Sequence, residues 1–182
     1  MYARSNLLTA VVFALLFILA LFAWIAVLRA QDASALATYK NLRFGFELRY
    51  PPDVFTPGEP PANGDGLAFT SRDGAAKIVT FAAFNNEGFT PKSYRAQLMA
   101  EYRDRYQLLD YQPQGRTWFV LSGYRGDSVF YEKVMFSCGG DIINVLAISY
   151  PRAEEAFYNP IVEIIEDGFR PGRGLDGTAK CR

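Results

Sequence analysis

The chain has 182 residues, room for one ordinary domain plus an appendage. It carries 19 basic and 19 acidic residues and no histidine, which excludes imidazole bases, Ser-His and Cys-His nucleophile pairs and the usual transition-metal sites. Two cysteines are too few for a thiolate metal cluster. The 50% hydrophobic content is inflated by the front of the chain, and from Gln31 onward the apolar share is about 43%, normal for a globular domain. Arg4 and Arg29 are the only charges before Gln31, which leaves 17 basic against 19 acidic residues, evenly spread. That balance argues against nucleic acid as a partner.

Leu7 to Leu28 is an uncharged run, apolar except for Thr9. As a helix it spans roughly 33 Å, enough for a bilayer core of about 30 Å. Residues 1–30 are therefore expected to be a retained membrane anchor or a signal peptide. Its length favours the anchor, whereas Ala30 and Ala33-Ser34-Ala35 offer cleavage sites. Either way the remainder is expected to be exported, to the periplasm or the periplasmic face of the inner membrane. Residues 31–38 read as a linker, 39–171 as the domain and 172–182 as a tail.

Phe44, Phe46, Leu48 and Tyr50 alternate on one face of an expected strand that Pro51-Pro52 stops. A Pro/Gly-rich loop follows, from Pro57 to Gly66, and then a hairpin of Leu67–Ser71 and Ala76–Phe84 around Arg72-Asp73-Gly74. Thr90 and Pro91 mark a helix start, with Tyr94, Leu98 and Tyr102 as its inner stripe. Four further strands are expected, at Leu108–Gln112, Thr117–Gly123, Ser128–Cys138 and Ile142–Tyr150, joined by hairpin-length turns. The last is apolar on both faces, as a central strand covered on two sides would be. Asn159-Pro160 reads as the start of a final helix with Ile161, Ile164 and Ile165 as its buried stripe and Gly168 as its end. The sum is an α+β protein, an antiparallel β-sheet with helices packed on both faces in an α/β/α sandwich, preceded by one N-terminal hydrophobic helix.

Cys138 ends a strand and Cys181 is the penultimate residue, so a disulfide between them would staple the tail to the sheet; two free thiols are the alternative. Gly172 to Gly177 spells GxGxxG but lacks the preceding strand and following helix that aim amides at a pyrophosphate. Asn63-Gly64-Asp65-Gly66 looks like the middle of a calcium loop, yet Pro61 and Arg72 occupy the outer ligand positions. Turn chemistry accounts for it better, with an irregular calcium site as the alternative. Ser122 has no base other than Lys133 or a carboxylate, and the adjacent acid pairs Glu154-Glu155 and Glu166-Asp167 sit where solvated charge is routine. No catalytic, cofactor or metal residue is assigned. The chain holds 15 Phe, 11 Tyr and 2 Trp, mostly expected as core. Tyr124 and Tyr158 are expected to face outward, and with Arg125, Asn63 and Asp65 they are the candidate partner contacts.

Tyr39-Lys40-Asn41 and Phe44-Gly45-Phe46-Glu47-Leu48-Arg49-Tyr50-Pro51 resemble the opening strand of PsbP-like domains. Trp118 to Gly123, Phe130-Tyr131 and Ile148-Ser149-Tyr150-Pro151 stand where that pattern expects them, so the resemblance spans Tyr39 to Pro171. It implies an α/β/α sandwich around an antiparallel sheet, as in extrinsic photosystem subunits, a Ran-binding nuclear transport factor and exported bacterial proteins. Their shared theme is docking to a larger partner. The metal-linked histidines of some members have no counterpart here, and the near-neutral charge is unlike a basic docking face.

These readings give a first expectation of a non-catalytic accessory domain of the bacterial envelope that binds another envelope protein, tethered through Leu7–Leu28 if that run is uncleaved. A carrier of a lipid-like or aromatic ligand, with its pocket between sheet and helix, is the alternative. A hydrolase without histidine is the third.

Overall fold

The computed structural model describes residues 36–104, 108–173 and 181. The expected anchor or signal at Leu7–Leu28 and the tail residues 174–180 and 182 lie outside the described residues. Among the described residues no helix is long and apolar enough to cross a membrane.

Among the described residues nine strands form, β1 (Ala37–Lys40), β2 (Glu47–Tyr50), β3 (Phe55–Pro57), β4 (Gly66–Ser71), β5 (Lys77–Phe84), β6 (Leu108–Tyr111), β7 (Trp118–Arg125), β8 (Ser128–Ser137) and β9 (Ile142–Pro151). Two α-helices accompany them, α1 (Pro91–Asp104) between β5 and β6 and α2 (Glu155–Asp167) after β9. Seven strands make one antiparallel sheet in the order β3-β4-β5-β9-β8-β7-β6, and β1-β2 is a separate ribbon. The last strand thus inserts between the two halves of the sheet. Its apolar character on both faces follows from that place, since Ile142, Leu146 and Ile148 bury on one side and Ile143 and Val145 on the other.

The two faces are covered unequally. α2 and the β1-β2 ribbon close one face over a core that includes Phe44, Phe46, Leu48, Phe69, Ile78, Leu146, Tyr158 and Ile165. On the other face α1 sets Leu98 and Tyr102 against Phe119, Leu121, Phe130, Val134, Phe136, Ile143 and Val145. No residue of β4 or β5 belongs to that second cluster.

The helix start at Thr90 is realised, its hydroxyl accepting from the Ser93 N–H at 3.1 Å. The strand expected over Phe44–Tyr50 is shorter, however. Residues 41–46 form a loop in which the buried Asn41 accepts from the Phe44 N–H at 2.7 Å and the Arg43 N–H at 3.1 Å, leaving only Glu47–Tyr50 paired. Phe44 and Phe46 still bury together, because the loop turns both rings inward. β1 begins at Ala37, inside the stretch read as linker.

The final helix also differs. It starts at Glu155 and runs through Pro160, so Asn159-Pro160 is not its beginning. The carbonyl that Pro160 leaves without an N–H belongs to Ala156, an exposed residue. Asn159 accepts from the Tyr150 hydroxyl at 2.7 Å instead of capping. The earlier start rotates the buried stripe to Tyr158, Val162 and Ile165, and Ile164 is left 44% exposed. Gly168 does end the helix; a Cβ there would lie 2.6 Å from that of Arg49 on β2.

The structure joins Cys138 to Cys181 by a disulfide. Gly172, the first residue of the stretch read as a tail, is buried and clamped. Its N–H donates to Asn144 Oδ1 at 2.9 Å and its carbonyl accepts from Ser137 Oγ at 2.6 Å.

Candidate functional site

The half of the sheet that α1 leaves uncovered presents one side of β4, β5 and β9. Side chains alternate along a strand, so the residues on this side are Ala68 and Thr70 of β4, Lys77, Val79, Phe81 and Ala83 of β5, and Ala147 and Ser149 of β9. Phe81 is 37% exposed, an open aromatic ring in the middle of a strand whose opposite side buries Ile78, Thr80 and Ala82.

Two hollows lie along this surface and meet at Val79. One, about 370 Å³, runs from Glu59, Pro61, Asn63 and Asp65 of the Pro/Gly-rich loop to Ala68 and Phe81. The other, about 230 Å³, is framed by Lys77 and Arg125, by Phe130 and Glu132 of β8, and by Tyr102 of α1. The register explains its floor. Lys77, Ser149 and Phe130 form one row across the sheet and Val79, Ala147 and Glu132 the next, so the small residues of β9 lie in a trough between larger neighbours.

The loop at one end is fixed from below. Asn41 donates to the Gly64 carbonyl at 2.8 Å, Arg43 donates to the Asn63 carbonyl at 3.1 Å and pairs with Asp65, and Asn63 Nδ2 donates to the Asp65 carboxylate at 2.7 Å. The Asp65 oxygens are therefore occupied by donors from within the chain. Among the described residues no group of three or more His, Cys, Asp or Glu is placed to hold a metal ion.

Glu132 is the chemically unusual member. It alternates with Phe130, Val134 and Phe136 on the face under α1, and the Tyr102 hydroxyl donates to its Oε2. Burial, reinforced by the Glu101 carboxylate, raises its pKa from the ordinary 4.5 to about 7. A charged residue at an inward-alternating position is a signal visible in the sequence, and it was missed there.

The predicted contacts are partly brought together. Arg125 stands at one end of the open face and Asn63 and Asp65 at the other. Tyr124, its neighbour in the strand, points to the opposite face, half-buried under the Arg152 guanidinium at 4.1 Å from its ring centre. Tyr158 is not a surface residue. It is 1% exposed, packed against Tyr150, Phe55 and Phe157, because the true helix phase turns it to the sheet. The Ser122 hydroxyl donates to the Phe130 carbonyl at 2.8 Å, and Lys133 is paired with Glu166 at 2.9 Å.

No family model and no curated protein matches the sequence. Solved structures do match the fold. The cyanobacterial PsbP (CyanoP) of Synechocystis sp. PCC 6803 superposes with a TM-score of 0.55 at 10% identity, over 77% of this chain and 94% of that one. The fold is PsbP/Mog1-like. The Ran-binding protein Mog1p of Saccharomyces cerevisiae superposes with a TM-score of 0.54 at 12% identity, over 81% of this chain and all of that one. At such identities the PsbP/Mog1-like architecture is what is shared, and the open face described above rests on this chain's own residues.

Proposed function

We propose that this is an exported, non-catalytic accessory domain of the bacterial envelope that docks another protein, tethered to the membrane through Leu7–Leu28 where that run is retained. The observation that carries the reading is the uncovered face of β4, β5 and β9. It offers an apolar strip of Ala68, Val79, Phe81, Ala83 and Ala147 on a rigid sheet, rimmed by Lys77, Arg125 and the braced loop. Apolar centre and polar rim is the anatomy of a protein interface. Export is supported by the disulfide, a bond that persists in oxidising compartments. Docking to a larger partner is also the theme that the PsbP/Mog1-like fold brings.

Phe81→Glu places a charge in the strip without touching the core of the opposite face. The expected result is loss of the captured partner by at least tenfold from gently solubilised membranes, with the melting temperature little changed. An equal yield of partner from Phe81→Glu and wild type contradicts the reading.

The ligand carrier is a second reading, favoured by the hollow of about 230 Å³ between β8, β9 and the Tyr102 side of α1. It requires a small molecule to co-purify and to be lost when the trough is filled by Ala147→Phe.

A further inference from the structure

A third hollow, separate from the open face, lies where the first turn of α1 meets the loop between β6 and β7. It measures about 330 Å³ and is lined by Lys92 and Arg95 of the helix, Gln114, Arg116 and Trp118 of the loop and strand, and Thr90. Three cations converge on it, and no carboxylate lines it. None of the three is in an ion pair among the described residues, where the pairs made are Lys40–Glu47, Arg43–Asp65, Lys133–Glu166 and Arg152–Glu155. Lys92 and Arg116 are exposed and Arg95 is half-buried, so together they set a positive potential at a hollow that is open to solutes.

The hydrogen bonding points the same way. Arg95 is oriented by its own bond, Nη2 donating to Gln112 Oε1 at 3.0 Å, while its Nε–H is buried and has no acceptor among the described residues. A buried donor without an acceptor costs about 1–3 kcal/mol in general, and an arginine can relieve it only by finding an oxygen, since it does not deprotonate. The setting adds positive potential, because α1 is a 14-residue helix whose first turn contains no acidic residue and points its N-terminal end at the hollow.

We propose that this hollow is a binding site for a phosphate-class oxyanion, with Arg95 as the fixed donor and Lys92 and Arg116 closing over it as mobile counter-charges. Arginine suits the first role because its planar fork matches tetrahedral oxyanions, and lysine suits the second as a point charge. The oxyanion has two sources in an envelope, a soluble phosphate ester or the headgroup of an anionic phospholipid.

The test uses the full chain, isotope-labelled, in phosphatidylcholine nanodiscs. Inorganic phosphate is titrated at constant ionic strength against chloride, and a parallel sample has part of the lipid replaced by phosphatidylglycerol. The expected result is saturable movement of the Trp118 indole and the Lys92, Ser93 and Arg116 amide resonances, with affinity falling at least tenfold in Arg95→Gln and in Lys92→Gln/Arg116→Gln. The second variant alters exposed side chains alone, so a folding defect in the first leaves the test intact. Response to inorganic phosphate identifies a soluble source, and response to phosphatidylglycerol alone identifies a headgroup. Identical behaviour in phosphate and chloride together with indifference to phosphatidylglycerol overturns the site, as does a response that survives both variants.

Discussion

Glu132→Gln is expected to make the protein more stable at pH 8 than the wild type, by roughly 3 kcal/mol, and to leave it about equal at pH 5. The direction follows from the raised pKa of this carboxyl, about 7 in the fold against 4.5 in its ordinary state. Between those two values the folded protein holds a proton that the unfolded chain has released. The stabilisation is therefore complete below about 4.5 and is lost as the pH rises through about 7. Above that point the fold keeps a carboxylate under α1, beside Phe130 and the Glu101 charge, with the Tyr102 hydroxyl as its hydrogen-bond donor. Glutamine keeps an acceptor for Tyr102 and never ionises. Urea unfolding of both proteins at pH 5, 6, 7 and 8 should give curves that separate steadily with pH. Parallel curves would show that Glu132 titrates normally.

The second large effect is expected at Asn144. Its amide is fully buried and makes three bonds, donating to the Met135 carbonyl at 3.1 Å and to Ser137 Oγ at 3.0 Å and accepting from the Gly172 N–H at 2.9 Å. Asn144→Leu fits the apolar surroundings in size but strands the Gly172 N–H inside the protein, where a Cβ on Gly172 itself would already collide with the Phe44 carbonyl at 2.2 Å. The expected loss is about 3 kcal/mol, the sum of an unmade bond and a buried donor without a partner. Hydrogen exchange gives an independent reading, because the Gly172 amide should lose its protection while the amides of β8 and β9 at the far end of the sheet keep theirs. A loss below about 1 kcal/mol with Gly172 still protected contradicts this role for Asn144.

Most of the sheet was legible in the sequence because its signals are local. The β4-β5 hairpin is announced by Arg72-Asp73-Gly74, α1 by Thr90-Pro91, and the central place of β9 by apolar residues on both of its faces. The failures occur where a long-range partner decides the local conformation. Phe44 to Phe46 alternate like a strand, but Asn41 draws them into a loop by hydrogen bonds and by its reach to Gly64. Asn159-Pro160 looks like a helix start, yet the helix begins at Glu155 and runs through the proline, with Tyr158 packed on Phe55 and Tyr150 of the sheet. That one shift of phase moved Tyr158 from the expected surface to the core and Ile164 the other way.

The candidate site was less legible for a related reason. Val79, Phe81 and Ala147 alternate like any half-buried strand residues, and nothing local says which side a helix will cover. The open face exists because α1 lies over β7 and β8 instead of β5, a consequence of tertiary packing. Asn63, Asp65 and Arg125 were found from loop chemistry alone, and they border that face from its two ends.

The measurement that bears most directly on the docking reading is site-specific photo-crosslinking in the membrane, with a photoreactive residue at Ala83 on the open face and, as a control, at Glu163 on the exposed side of α2. One discrete adduct is expected from Ala83, absent from Glu163 and lost when Phe81→Glu is introduced. Adducts from Glu163 with none from Ala83 would contradict the docking reading.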